Sequence, residues 1–269
     1  MMESAAAGPA IMGPRIMGIV NVTPDSFSGT PPDPVATGLA MIAAGADIID
    51  IGGESTRPGA APVTPEEEQR RVLPVIRALA LGGVPLSIDT RNAATMAAAL
   101  DAGASIVNDV TGLAHDKAAA PLVAARGCFV VLMHMRGTPQ TMAGLTSYGD
   151  VVAEVAAELS ARIEAALAAG VKRDRIWIDP GIGFAKTAVQ NLLLLRHLDA
   201  FAAFGLPLLV GVSRKSFIGH IAGEPDPARR GPGSLAAALF AASQGAAILR
   251  VHDVAETRQA LRLWHALAF

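Results

Sequence analysis

Eight short runs rich in Ile, Val and Leu recur along the chain, separated by longer Ala-rich amphipathic stretches. The runs fall at residues 16–21, 47–51, 86–89, 105–108, 129–134, 176–179, 206–212 and 247–251. Helices are expected over 34–44, from Pro65 onward, over 92–102, around Pro121, and over 150–169, 192–204, 234–245 and 254–267. Strands that are apolar on both faces belong in a parallel sheet covered on both sides. Eight strand–helix units, with no linker long or polar enough to divide them, predict a single (β/α)8 TIM barrel over 16–269, preceded by a lead-in at 1–15. The length, 269 residues, suits one such barrel. An open doubly wound sheet is the structural rival.

Composition narrows the function classes. Hydrophobic residues make up 51% and charged residues 17%, which excludes a disordered chain. Aromatic residues are only 4%, so the core must be built from Ala, Leu, Ile and Val. Lys and Arg number 22 against 24 Asp and Glu, a net charge of −2, and this argues against a nucleic-acid partner gripped through a broadly basic face. The single cysteine, Cys128, rules out a disulfide framework and a multi-thiolate zinc site, and reads as an inert core thiol. No apolar run reaches the ~18 residues of a membrane span. Residues 1–13 lack the charged start and apolar stretch of a signal peptide, so a cytoplasmic protein without membrane contact is expected.

Each apolar run ends in polar residues. In order these are Asn21, Asp50, Asp89, Asn108 with Asp109, His134, Asp179, the Ser213-Arg214-Lys215 run, and Arg250 with His252. One Asp or Asn at such a place is ordinarily a helix cap or turn former. All eight together are harder to dismiss, because in a barrel these ends converge on the face that carries active sites. A buried carboxylate must find donors to stay ionised. Several Asp and Asn side chains at one mouth therefore fit a ligand rich in N–H groups, such as a planar amide–guanidine heterocycle. Arg214, Lys215, Arg250 and His252 gather cationic groups at the seventh and eighth strand ends, where barrels commonly hold phosphate. No HExxH or other dense ligand spacing occurs, so a permanent zinc site is not expected. A magnesium ion brought in with a phosphate fits better. Glu154, Glu158 and Arg162 stand at four-residue spacing on the clearest helix, as in a charge ladder.

The run Ile19-Val20-Asn21-Val22-Thr23-Pro24-Asp25-Ser26-Phe27-Ser28 closely resembles the first signature of the dihydropteroate synthases, and Asp50-Ile51-Gly52-Gly53-Glu54-Ser55-Thr56-Arg57-Pro58-Gly59 resembles the second. Ser87-Ile88-Asp89-Thr90, Asn108-Asp109-Val110, Leu132-Met133-His134-Met135, Asp179-Pro180-Gly181-Ile182-Gly183-Phe184, Ser213-Arg214-Lys215-Ser216 and Arg250-Val251-His252-Asp253 continue the pattern in order. The resemblance implies a (β/α)8 barrel and a transferase of folate biosynthesis, a sulfonamide target. Such an enzyme joins 6-hydroxymethyl-7,8-dihydropterin diphosphate to p-aminobenzoate, with Mg2+ as cofactor and a homodimer as its assembly. It also implies roles. Asp89, Asn108, Met133, Asp179, Lys215 and Arg250 would form the pterin site, with Asp89, Asp179, Lys215 and Arg250 its catalytic members. Asn21, Arg57, Arg250 and His252 would hold diphosphate, and Asn21 the magnesium. Phe27, Thr56, Pro58, Phe184, Lys215 and Ser216 would shape the p-aminobenzoate pocket, Ser216 at a helix start.

The likeness departs in one place. Ser28 is followed by Gly29-Thr30-Pro31-Pro32-Asp33-Pro34, where the family usually has Asp-Gly-Gly. The acid is missing at position 29, and Asp33 is the nearest replacement. Two other functions remain compatible with the pterin residues: a pterin-binding methyltransferase domain and a catalytically impaired, pterin-binding paralogue.

Overall fold

The computed structural model describes residues 13–23, 33–57 and 59–268. The apolar runs form β1 (Arg15–Asn21), β2 (Ile48–Gly52), β3 (Leu86–Asp89), β4 (Ile106–Asp109), β5 (Phe129–Met133), β6 (Ile176–Asp179), β7 (Leu209–Gly211) and β8 (Ile248–Val251). They lie in the order β6-β5-β4-β3-β2-β1-β8-β7, and every paired neighbour is parallel. Between β6 and β7 the contact thins to one bridge, Ile178 with Leu208, and the Ile178 N–H donates to the Pro207 carbonyl at 3.0 Å. Pro207 has no N–H to return, which limits the ladder here. The order runs round a nearly closed barrel and excludes the open doubly wound sheet.

Outside the strands lie α1 (Pro34–Ala43), α2 (Pro65–Leu79), α3 (Ala93–Asp101), α4 (Ala119–Arg126), α5 (Val151–Ala168), α6 (Ala188–Arg196), α7 (Ser216–Ala222), α8 (Gly231–Ser243) and α9 (Val254–Ala268). Their starts follow from the sequence. Pro34 and Pro65 stand in first turns, Asp33, Thr64 and Asp150 cap with their side-chain oxygens, and Thr187 and Gln190 form a reciprocal capping box.

Four expectations need correction. The first strand begins at Arg15, inside the expected lead-in. The helix expected over 192–204 breaks at His197 and continues as a 3-10 turn, Leu198–Phe204, with Leu198 and Phe201 buried. Their three-residue spacing suits three residues per turn. The short helix α7 lies where hydrophobic periodicity marks no helix, because Gly219 and Gly223 punctuate it and Gly223 ends it at φ 69°; the resemblance alone puts a helix start at Ser216. The charge ladder on α5 does not form as spaced: Glu154 and Glu158 both bond Arg136 from the loop after β5.

The core has two shells. Met17, Ile48, Ile106, Val131, Trp177, Leu209 and Ile248 fill the barrel interior as one buried layer. The opposite faces, among them Ile49, Ile51, Val107, Leu132, Ile178, Val210 and Leu249, pack with the helices in a larger cluster. Side chains alternate along a strand. Two residues beyond the interior layer therefore come Ile19, Asp50, Asn108, Met133, Asp179, Gly211 and Arg250, all facing inward near the C-terminal mouth. That alternation places polar groups over an apolar floor.

Candidate active site

The Arg250 guanidinium joins three strands at the mouth. Its Nε donates to Asp50 Oδ2 at 2.6 Å and its Nη2 to Asp89 Oδ2 at 2.7 Å. Asn108 Nδ2 also donates to Asp50 Oδ2, at 3.0 Å. Asp50, Asp89, Asn108 and Asp179 are all buried. Burial pushes the Asp89 carboxyl up to about 7 even though the Arg250 charge pulls it down. Burial raises Asp179 too, opposed first by the Lys215 ammonium. Desolvation lowers Lys215 to about 8 while Asp179 draws it upward. Arg250 is held above its ordinary value, because the attraction of Asp50 and Asp89 outweighs its own desolvation.

The loop after β6 seals one side of the mouth. Asp179 Oδ1 accepts the Gly181 N–H at 2.7 Å, closing a turn directly after the strand. Gly181 has φ +70°, and a Cβ there would lie 1.9 Å from the His134 carbonyl oxygen, so only glycine allows the loop to sit against β5. Gly183, at φ +84°, would place a Cβ 2.9 Å from Lys215 Cδ. The Lys215 ammonium donates to the Ile182 carbonyl and stands 4.7 Å from the centre of the Phe184 ring. Ammonium and ring attract at that separation.

Behind this loop a polar chain runs from the buried Lys186 and His134 out to half-exposed Glu158 and Arg136. Lys186 Nζ donates to the carbonyls of Gly181 at 3.0 Å and Phe184 at 2.9 Å, and lies 2.9 Å from His134 Nδ1. His134 Nε2 is 2.9 Å from Glu158 Oε2. Arg136 bonds Glu158 and Glu154 and lies 3.8 Å from the Tyr148 ring centre. Desolvation lowers Lys186 to about 7 and His134 to about 4, so His134 is neutral and can accept the Lys186 proton donor.

A family model described as pterin binding enzyme matches residues 17–252. The dihydropteroate synthase of Neisseria meningitidis serogroup C is 51% identical over 263 residues, 94% of this chain and 93% of that protein. The chain belongs to the dihydropteroate synthase family. Among solved structures, the dihydropteroate synthase of Xanthomonas albilineans in complex with 7,8-dihydropteroate superposes with a TM-score of 0.87 at 46% identity, over 96% of this chain and 95% of that one. The Yersinia pestis dihydropteroate synthase with a sulfonamide drug complex gives a TM-score of 0.91 at 42% identity, over 99% of this chain and 98% of the other.

The barrel brings most of the family's expected residues to one face. Asp89, Asn108, Met133, Asp179, Lys215 and Arg250 stand at the ends of β3 to β8 or in the loops that follow. Asn21 is exposed at the end of β1, Arg57 exposed and Thr56 half-buried after β2, and Ser216 exposed as the first residue of α7. Phe27 and Pro58 lie outside the described residues, as do residues 29–32. Asp33 Oδ1 accepts the Val35 N–H at 2.9 Å, so this carboxylate caps α1.

Two cationic expectations change. Arg214 pairs with Asp253 through both Nε and Nη2 and is committed there. Burial, with Arg214 and Arg250 nearby, pushes His252 down to about 3, so it is neutral. Ser213 Oγ accepts the His252 backbone N–H at 3.2 Å and lies 2.9 Å from Nδ1. With the Ser213 proton given to Nδ1, the ring keeps its own proton on Nε2, a neutral donor. Asp109 is a turn former: its carboxylate accepts from the Thr111 N–H and hydroxyl and from the Leu113 N–H. In the sequence Asp50 is a polar strand end with no role of its own, and no local signal marks Lys186.

Proposed function

We propose that this chain joins 6-hydroxymethyl-7,8-dihydropterin diphosphate to p-aminobenzoate, giving 7,8-dihydropteroate and diphosphate, in folate biosynthesis. The observation that carries this reading is the placement of Asp89, Asn108 and Asp179 on three strands, buried at one mouth with Arg250 and Lys215. Asp89 and Asp179 accept the N–H groups of the pterin ring and its exocyclic amine, at ~1.5–3 kcal/mol for each charge-assisted bond. Met133 packs against the ring from β5. Lys215 keeps its proton at neutral pH and lies between Asp179 and Phe184, so it neutralises the acid and stiffens the wall.

The reaction breaks the bond from the exocyclic methylene to the diphosphate oxygen, and the electron pair leaves with diphosphate. The electron-rich dihydropterin stabilises the methylene cation. The p-aminobenzoate nitrogen then forms the C–N bond and loses its proton to solvent. Arg250, whose Nε and Nη2 are already held by carboxylates, faces the ring and stabilises the charge growing on diphosphate, together with Arg57. His252 contributes a neutral N–H. Thr56, Phe184 and Ser216 line the p-aminobenzoate side. No serine is required as a nucleophile.

Among the described residues no group of three or more His, Cys, Asp or Glu could hold a metal ion. Asn21 offers one neutral amide oxygen, a donor set that fits Mg2+ held chiefly by diphosphate and water. When bound, the ion supplies positive charge to the leaving diphosphate.

We further propose a cytoplasmic homodimer. No helix among the described residues is long and apolar enough to cross a membrane. Val189 and Leu193 on α6, Ile221 on α7 and Phe240 on α8 are exposed on adjacent helices, an apolar face that a second copy would cover. The testing experiment mixes the protein with pterin diphosphate, p-aminobenzoate and Mg2+, and follows diphosphate and dihydropteroate together. Stoichiometric release of both is expected. Pterin binding without release would instead support an impaired paralogue, the reading motivated by the missing acid at position 29 and by Asp33 serving as a helix cap.

A further inference from the structure

We infer that Asp50 is the positioning residue of the pterin site: it fixes which atom Asn108 presents to the ligand and the plane in which Arg250 faces it. The inference rests on the pterin reading above. Asp50 is fully buried on β2, one layer above Ile48. Its Oδ2 accepts from Asn108 Nδ2 at 3.0 Å and from Arg250 Nε at 2.6 Å. Its Oδ1 is buried and has no hydrogen-bond partner among the described residues. An orphaned buried carboxylate oxygen is costly. An apolar residue like Ile48 below would avoid that cost, so the group is explained by what Oδ2 does.

Oδ2 already acts as an acceptor toward Arg250 Nε, so the Asn108 atom facing it must be the amide nitrogen. Asn108 Oδ1 is thereby left as an acceptor. Asp89, Asp179 and Asn108 then all offer oxygens, which matches a ligand edge of N–H groups. Without Asp50 the Asn108 amide can turn over and present a donor. The same Oδ2 holds Arg250 at Nε while Asp89 holds it at Nη2, so two carboxylates define the guanidinium plane. Nη1 makes no hydrogen bond to a described residue. Release of Asp89 to a ligand would leave Asp50 as the anchor that keeps Arg250 in place.

The test compares Asp50→Leu and Asp50→Asn in the full chain, with 6-hydroxymethylpterin as the calorimetric probe and thermal unfolding read in parallel. Leu removes the acceptor and fills the space; Asn keeps an oxygen where Oδ2 stood. Asp50→Leu should bind the pterin at least about tenfold more weakly, and because it unpairs Arg250 Nε and Asn108 Nδ2 it should also unfold earlier than the native protein, so affinity is read below its unfolding transition. Asp50→Asn should stay within about threefold of native, and the KM for p-aminobenzoate should move less than about threefold in either variant. A folded Leu variant with native affinity would overturn the inference, and so would an Asn variant as weak as Leu. On the native protein, the Asn108 side-chain NH2 resonances, assigned by their loss in Asn108→Asp, should exchange slowly with and without pterin. Free-amide exchange rates would overturn the inference whether or not the variants fold. Native protein that binds no pterin, with the Asn108 amide still protected, would instead sink the proposed function and leave the Asp50 contact standing.

Discussion

Arg250 Nη2 lies 2.7 Å from Asp89 Oδ2, so in the free protein a guanidinium occupies the carboxylate that the pterin must reach. Burial nevertheless holds the Asp89 carboxyl at about 7. Near neutrality part of the free protein therefore carries a proton there. A ligand N–H needs the ionised form, so binding drives that proton off and affinity rises as pH climbs through about 7. Pterin binding should release up to one proton per site at roughly pH 6 and almost none at roughly pH 8.5. Calorimetry in buffers of different ionisation enthalpy reads this directly. Asp89→Asn should abolish the release; a release that persists in that variant would move the titrating group elsewhere.

Asp179 carries the second carboxylate of the edge, and its Oδ1 already holds the Gly181 N–H. Asp179→Asn replaces an acceptor by a donor facing the ligand's own N–H and leaves Lys215 without its counter-charge. Pterin affinity should fall by at least about tenfold, equivalent to ~1.4 kcal/mol. Unchanged affinity in a folded variant would remove Asp179 from the site.

Lys186 gives a stability prediction with a definite sign. Burial holds its ammonium at about 7 against an ordinary lysine value of 10.5. Between those values the unfolded chain binds the proton and the folded chain does not. Stability contributed through Lys186 therefore rises as pH climbs from about 7 to about 10.5, by at most ~1.4 kcal/mol per pH unit, and the full penalty is present below 7. Lys186→Met orphans the Gly181 and Phe184 carbonyls and His134 Nδ1, at ~1–3 kcal/mol for a buried unsatisfied group. The variant should be less stable than native in denaturant at roughly pH 9, with the gap narrowing toward neutrality. A gap independent of pH would mean that the Lys186 ammonium titrates normally.

The same residues show how far a sequence can be read. Ile48 and Asp50, Ile106 and Asn108, and Ile248 and Arg250 are each two apart on an apolar strand, so alternation alone carries a polar layer over an apolar floor. The barrel and the strand-end site were legible for that reason. The action of Asp50 was not, because its partner Arg250 is 200 residues away and becomes a neighbour only through the β2-β1-β8 pairing. Lys186 sits beyond a strand end in a loop, and nothing in its local pattern marks a buried ammonium. The pairing of Arg214 with Asp253 and the neutrality of His252 depend on packing after β7 and β8. Charge counts at strand ends therefore overstate the cationic grip.

Magnesium should follow the substrate. With one neutral oxygen at Asn21, the protein alone should bind Mg2+ only in the roughly millimolar range, and the diphosphate substrate should bring the ion in. Calorimetric titration of Mg2+ without and with pterin diphosphate separates the two cases. Tight binding to the protein alone, or full activity in excess chelator, would contradict the assignment.

Sulfonamides resemble p-aminobenzoate in carrying an aniline opposite an acidic group, and the Yersinia pestis relative has been solved with such a drug. Here Phe184 is half-buried with the Lys215 ammonium 4.7 Å from its ring centre, and Ser216, the next residue after Lys215, opens α7. The loop that carries Thr56 and Arg57 is fastened to the loop after β5: the Gly59 N–H donates to the Pro139 carbonyl at 3.0 Å, and Gln140 Nε2 donates to the Ala60 carbonyl at 2.5 Å. Substrate and drug would use these same walls, so inhibition should be competitive with p-aminobenzoate. The run from Val22 to Phe27 carries no insertion relative to the family signature it resembles. The Gly29-Thr30-Pro31-Pro32 sequence is where this chain departs from the family pattern. If it weakens one of the two ligands it weakens the other, and the KM for p-aminobenzoate and the inhibition constant for sulfamethoxazole rise in parallel with their ratio kept. Steady-state inhibition at several p-aminobenzoate concentrations measures that ratio. Normal substrate affinity with drug binding weakened roughly a hundredfold, a difference of ~2.7 kcal/mol, would show that the pocket tells the two apart and would end the case for a shared wall.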